Sequence, residues 1–239
     1  TSNQTATYTV TPTSGAAGAC PGTPFTVTVT LTPTPVISDY TSTVCSGTAF
    51  SVTPADGVPA GTIVPAGTTY TWGAPVVTGG MTGGAAGVAQ ASIGGTLTNP
   101  TTTSQTATYT VTPTSGCAGA TFTVTVTVDP VPAVADQTAT ICSAGTFTVT
   151  PAGVPAGTTY SWGAPVVTGG VTGGSAQAGQ ASISETLTNP TTTSQTATYT
   201  VTPTSGACPG AAFTVTVTID PVPAVADQTA TICSGGSFT

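Results

Sequence analysis

Threonine alternates with apolar residues along most of this chain. In "ATYTVT", Ala107, Tyr109 and Val111 fall on one side of an extended strand and Thr on the other. In "FTVTVTV", Phe122, Val124, Val126 and Val128 share a side, as do Tyr70 and Trp72 in "TTYTW". A period of two predicts strands buried on one face. Thr on the outer face is β-branched and polar, so it favours extended backbone and accepts water. Pro and Gly mark the turns. No segment carries a helical period. The apolar faces need cover, and two sheets packed face to face supply it.

The strand phrases repeat. "QTATYTVTPTSG" occurs at 4–15, 105–116 and 195–206, and "TWGAPVVTGG" at 71–80 returns as "SWGAPVVTGG" at 161–170. The step from Tyr109 to Tyr199 is 90 residues, the length of one sandwich domain. Each unit reads as about seven strands: A "DQTATIC", B "FTVTP", C "TTYTWGAPVV", a loose Gly-rich D region, E "ASISETLT", F "TATYTVTP" and G "FTVTVTID". A Trp on C and a Tyr on F fit an immunoglobulin-like sandwich. The expected organisation is the last strands of a partial repeat at 1–32, full repeats at 33–130 and 131–221, and the first strand of another at 222–239. The copies differ in loops, with "ADGVPAGTIVPAGTTY" in one and "AGVPAGTTY" in the other. The first residues already lie inside a repeat, so no leader is read there. The chain reads as a window of a longer array, or as one whose end strands complete a neighbour by strand addition.

Composition removes whole classes of function. The chain has 239 residues, no Lys, Arg or His, and a net charge of −7; only 3% of residues are charged. Without cations it cannot neutralise phosphates, which argues against nucleic acid. Without His there is no imidazole base and no usual zinc set. Ser has no His or Lys to activate it, so no catalytic residue is expected. "TGGMTGG" and "TGGVTGG" lack the Lys and helix of a phosphate loop. No apolar run is long enough for a membrane span.

The residues "QTATICSGGSFT", "GTTYSW", "SISETLTNP" and "TATYTVTPTSGACPGAAFTVTVTIDPVP" resemble the PKD-like repeats of giant secreted surface proteins in Bacteroidota-type bacteria. The resemblance covers nearly the whole chain. It implies tandem immunoglobulin-like domains, export to the bacterial cell surface, and a part in adhesion, gliding or fibre formation. It supplies no catalytic residues. This chain departs from the pattern in lacking even occasional Lys and in having unusually similar copies.

Six cysteines fit an oxidising, extracellular setting. Sandwich wiring places Cys45, Cys142 and Cys233 at the A–B corner and Cys20, Cys117 and Cys208 in the F–G loop, at the other end of a domain. A disulfide needs Cα atoms within about 7 Å. The leading expectation is Cys45–Cys208 across a domain joint, with the other four pairing outside this chain. Pairing within domains (Cys45–Cys117 and Cys142–Cys208) and between cysteines 25 residues apart (Cys20–Cys45, Cys117–Cys142, Cys208–Cys233) stay open.

The seven acids are Asp39, Asp56, Asp129, Asp136, Glu185, Asp220 and Asp227. Asp129 with Asp136, and Asp220 with Asp227, flank the linkers "DPVPAVAD" and are candidate Ca²⁺ ligands. Two acids per linker are few for an ion that takes six or more oxygens, so solvated acids and no cofactor are expected. Asn3 begins a nominal sequon, while Asn99 and Asn189 precede Pro and cannot. Candidate O-glycosylation sites are Thr101, Thr102 and Thr103, with Thr191, Thr192 and Thr193, in the two "NPTTTSQT" loops.

The expected function is structural: an all-β, end-to-end sandwich array forming an extracellular filament, self-associating or continuous with more of the same chain. Strand surfaces without Lys lack the usual guard against edge pairing, so they invite assembly or need a glycan coat. The alternative is the stalk of a surface adhesin carrying a distal binding domain. A carbohydrate-binding module on a secreted enzyme is a third reading, but it needs exposed aromatics, and Trp72 and Trp162 are expected in the core.

Overall fold

The computed structural model describes residues 2–237, and these contain strands and turns but no helix. The chain divides into unit 1, Thr1–Pro130, and unit 2, Val131–Thr239. Unit 1 holds β1 (Gln4–Val10), β2 (Phe25–Leu31), β3 (Tyr40–Cys45), β4 (Ala49–Val52), β5 (Thr69–Trp72), β6 (Val76–Val77), β7 (Thr82–Gly83), β8 (Gly87–Gln90), β9 (Ile93–Thr98), β10 (Gln105–Ser115), β11 (Cys117–Ala118) and β12 (Phe122–Asp129). Unit 2 holds β13 (Gln137–Cys142), β14 (Gly145–Val149), β15 (Thr159–Trp162), β16 (Val166–Val167), β17 (Gln177–Gln180), β18 (Ile183–Leu187), β19 (Gln195–Ser205), β20 (Cys208–Pro209) and β21 (Phe213–Asp220).

The two units share one plan. The larger sheet runs β3-β12-β10-β5-β8 in unit 1 and β13-β21-β19-β15-β17 in unit 2. The opposing sheet is β4-β9-β7 in unit 1 and β14-β18 in unit 2. Strands F and G pair antiparallel with Tyr109 opposite Val124 and Tyr199 opposite Val215. β3 lies parallel on β12 and β13 parallel on β21, with Cys45 beside Asp129 and Cys142 beside Asp220. Burial alternates strictly along β12 and β21, as the period of two requires. The inward residues form one core per unit, with Tyr109, Val124, Ile93 and Leu97 in the first and Tyr199, Val215, Ile183 and Leu187 in the second, all at 0% exposure. Trp72 and Trp162 are buried, as their alternation with Tyr predicts.

The structure departs from the sequence reading in three places. Strand C is interrupted: β5 and β6, and again β15 and β16, are separated by the "GAP" turn. The Gly-rich D region of unit 1 is not a loose loop but a crossing between sheets, with β7 on β9 and β8 on β5. Gly83 (φ +90°) permits it, because a Cβ there would overlap the Thr96 carbonyl oxygen. The expected first strand of a further repeat does not form. Residues 227–233 repeat the sequence of 136–142, yet 222–237 contain no strand. β13 exists because β21 supplies its ladder, and 227–233 has no such partner among the described residues. The expected start of strand B at 237–239 lies mostly outside them.

β1 and β2 show the same dependence. They pair in the F–G register, Tyr8 opposite Val27. Tyr8 is nevertheless 57% exposed and Phe25 52%, where Tyr109 and Phe122 are 0% and 3%. One sequence gives one hairpin, but only an opposing sheet buries its face.

Candidate functional site

The "NPTTTSQ" loops are built around a buried asparagine. Asn189 is 6% exposed, and its side chain uses its full hydrogen-bonding capacity. Nδ2 donates to the carbonyls of Thr193 (2.8 Å) and Ile219 (2.9 Å), and Oδ1 accepts from the Thr191 N–H and hydroxyl (2.8 Å each). Its backbone N–H donates to Ser143 Oγ at 2.9 Å, tying the loop to the A–B corner. Asn99 makes the equivalent bonds to Thr103, Val128, Thr101 and Ser46. Thus one end of each unit gathers the loop, the corner cysteine's neighbour and the end of strand G. Sequence reasoning treated these asparagines only as blocked sequons.

The loop sorts the six threonine candidates. The Thr101 hydroxyl donates within the loop and accepts from Gln105 Nε2 at 3.2 Å, and Thr191 does the same with Gln195 at 3.1 Å. Thr103 and Thr193 hydroxyls each accept from the same glutamine. Thr102 and Thr192 are exposed and make no hydrogen bond through their side chains. Thr192 stands at the rim of a cavity of about 520 Å³ with Ser143, Pro190 and Pro221. Asn3 is exposed just before β1.

The acids do structural work. Asp129 accepts from the Ser104 hydroxyl and Asp220 from Ser194, both at 2.6 Å. Asp39 accepts from the Thr123 N–H at 2.6 Å and Asp136 from the Thr214 N–H at 2.7 Å, each pinning the entry of strand A to the start of strand G. Asp56 accepts from the Val64 N–H at 2.9 Å, and Asp227 is exposed outside any strand. No group of three or more possible metal ligands forms among the described residues. The backbone hydrogen bonds, then the Thr hydroxyls, hold the Asp39 and Asp136 carboxyls below the usual aspartate range. A folded pKa below the unfolded value of about 3.9 contributes stability that is complete above that pH and is lost as pH falls through the folded value. Thermal unfolding from pH 7 to pH 2 should therefore show a loss confined to the acid end. The Asp39→Asn/Asp136→Asn variant, which keeps an acceptor but cannot titrate, should flatten that loss. An unchanged acid limb in the variant would show that these two groups do not set it.

Cys45 and Cys208 are disulfide-bonded. Cys20, Cys117, Cys142 and Cys233 are exposed thiols. Within unit 1 the strands hold two of the cysteines apart: Cys45 sits beside Asp129, at the far end of β12, whereas Cys117 precedes its start. Eight strand residues at about 3.3 Å each separate those ends.

The cores differ at one buried polar site. Glu185 is 9% exposed; its carboxylate accepts from the Ser175 N–H (2.7 Å), the Ser175 hydroxyl (2.9 Å) and the Tyr199 hydroxyl (3.3 Å). Burial, then the Glu185 charge and hydrogen bond, push Tyr199 well above the ordinary phenol range. In unit 1 the aligned positions are Ala85, Gly95 and Tyr109. The Tyr109 hydroxyl is buried without a partner, and beside it lies an open cleft of about 610 Å³ lined by Trp72, Gly84, Gly87, Gln90, Gly95 and Thr96. The indoles trade places: Trp72 Nε1 donates to the Ala85 carbonyl at 3.1 Å, whereas Trp162 Nε1 is the unpartnered one.

The PKD-like domain model matches residues 1–35, 42–132 and 139–223. The chain belongs to the PKD-like domain family. No curated protein matches it. Solved structures with similar folds include protocadherin gamma B2 extracellular cadherin domains 1–5 (12% identity, 91% of this chain, 45% of that one, TM-score 0.28). They also include an endo-fucoidan hydrolase of glycoside hydrolase family 107 (9%, 91%, 34%, TM-score 0.26) and the titin I-band fragment I67–I69 (7%, 84%, 70%, TM-score 0.32). The chain spans about half the length of the cadherin structure and a third of the hydrolase. At these TM-scores they add nothing to the sandwich seen directly in the strand pairing. PKD-like and immunoglobulin-like domains are commonly structural or adhesive extracellular modules and typically non-enzymatic. The disulfide-bonded cysteines suit that setting. No helix among the described residues is long and apolar enough to cross a membrane.

Proposed function

We propose that this PKD-like chain is a structural, non-enzymatic segment of an extracellular filament on a bacterial surface, its sandwich domains set end to end and stapled at each joint. The carrying observation is the state of the cysteines. Cys45, at the A–B corner of unit 1, and Cys208, in the F–G loop of unit 2, are disulfide-bonded, while their repeat equivalents Cys142 and Cys117 are exposed thiols. A staple from each A–B corner to the next domain's F–G loop pairs Cys45 with Cys208 and leaves the other four to domains beyond this chain. On the same reading, 33–130 and 131–221 are whole domains, and 1–32 and 222–239 belong to neighbouring ones. The uncovered face of β1–β2 supports this, because only the remaining strands of its own domain give it the cover that Tyr109 and Phe122 receive. Those strands come from the same chain continuing or from self-association with another copy. The uncharged Thr surface carries O-glycans first at Thr102 and Thr192, the two loop hydroxyls not already engaged.

Mass spectrometry of native material tests both statements. Alkylation should come first, and digestion needs pepsin or chymotrypsin because trypsin has no site. The expected products are a Cys45–Cys208 peptide, no alkylated Cys117 or Cys142, and sugar on Thr102 and Thr192 ahead of their neighbours. Alkylated thiols at Cys117 and Cys142 would contradict the stapled array and leave the adhesin stalk as the better account.

A further inference from the structure

We propose that the cleft in unit 1 binds a short aliphatic carboxylate, which takes the place that the Glu185 carboxylate fills in unit 2. The twin repeat supplies the template. There, one carboxylate satisfies a buried tyrosine hydroxyl and the N–H and hydroxyl of Ser175, with no cation in the chain to assist. Unit 1 keeps the tyrosine and the Trp72 wall but has Gly95 where the Glu would be. The Tyr109 hydroxyl is left fully buried and unpartnered, behind Gly84 and Gly95 of the cleft lining. The space is real for a side-chain-sized group: a Cβ at Gly95 would lie 3.9 Å from Tyr109 Oη and 3.6 Å from the Phe50 ring, ordinary contacts at an unstrained φ. Gly84 is held to glycine by the same hydroxyl, since a Cβ there would come within 2.6 Å of it. Burial raises the Tyr109 pKa, so the group is an O–H donor at neutral pH. A carboxylate oxygen is a strong acceptor for it, and the aliphatic tail has the Trp72 face. Without a cation the affinity should be on the order of millimolar, in keeping with a ligand of so few atoms.

The test is an NMR titration of the ¹⁵N-labelled chain with sodium propionate, against sodium chloride at equal ionic strength and pH 7. Saturable shifts are expected at Gly84, Gly95 and the Trp72 indole N–H, with none at Ser175 or Trp162. Tyr109→Phe removes only the unpartnered hydroxyl, so the unit keeps its fold, and propionate should bind at least about tenfold more weakly, the loss of one good hydrogen bond. Ala85→Ser/Gly95→Glu, which grafts the unit 2 network, should abolish binding. Glu185→Gly should create a second site in unit 2. Absence of saturable shifts, equal shifts in both units, or binding unchanged in Tyr109→Phe would each overturn the assignment. The outcome is independent of whether the chain is part of a filament.

Discussion

Replacing Asn189 with alanine is expected to lower the stability of unit 2 by about 3 kcal/mol, because a buried carbonyl and a part-buried N–H lose their partners at once. The Ile219 carbonyl and the Thr191 N–H are both bonded to the Asn189 side chain, and little water reaches a residue 6% exposed. For a domain of this size each kcal/mol moves the midpoint by roughly 4–8 °C, so calorimetry should show a drop of at least about 12 °C. Asn189→Asp should be no better, since a carboxylate cannot donate to the Thr193 and Ile219 carbonyls and would set a charge against them. Asn99→Ala should have the same effect on unit 1. A fall under about 1 kcal/mol for Asn189→Ala would mean that the loop is held by its Thr and Gln bonds instead.

Removing the proposed staple should have an effect of similar size and a different signature. Cys45 and Cys208 enclose a long stretch of chain, and closing a loop of that order stabilises by about 3–5 kcal/mol, mainly through the unfolded state. Cys45→Ser/Cys208→Ser should therefore unfold at lower temperature than the parent, and reductant should lower the parent to the same midpoint while leaving the variant unchanged. Cys20→Ser/Cys233→Ser, at exposed thiols, should be neutral in the isolated chain. In the filament the first variant should also bend more readily, because a joint without its covalent tie is free to hinge. Equal midpoints for parent and double variant under oxidising conditions would remove the staple from the account.

The sandwich was legible because its signal is local and repeated. Tyr109, Val111 and Val124 announce their buried face by alternation alone, and the repeat period sets the domain length. What could not be read depends on partners distant in sequence. Nothing in "DQTATIC" distinguishes residues 137–142, a strand on β21, from 228–233, which form none. The same holds for "ATYTV", buried in β10 and exposed in β1. Asn189 looked like a failed sequon because its role requires the Ile219 carbonyl, 30 residues away. Asp136 looked like a solvated linker acid, since the strand start it pins lies 78 residues on; Asp39, whose strand start lies 84 residues on, belonged to neither linker pair. The Gly95 and Glu185 difference takes its meaning only from Tyr109 and Tyr199 placed beside it.

Cryo-electron microscopy of native, unfixed surface material tests the filament most directly. Uniform fibres are expected, with an axial repeat of one or two sandwich lengths, density bridging each joint at the Cys45–Cys208 position, and extra density on Thr102 and Thr192. Single flexible strings of beads ending in a distinct head, with open joints, would contradict it and make this PKD-like chain the stalk of an adhesin.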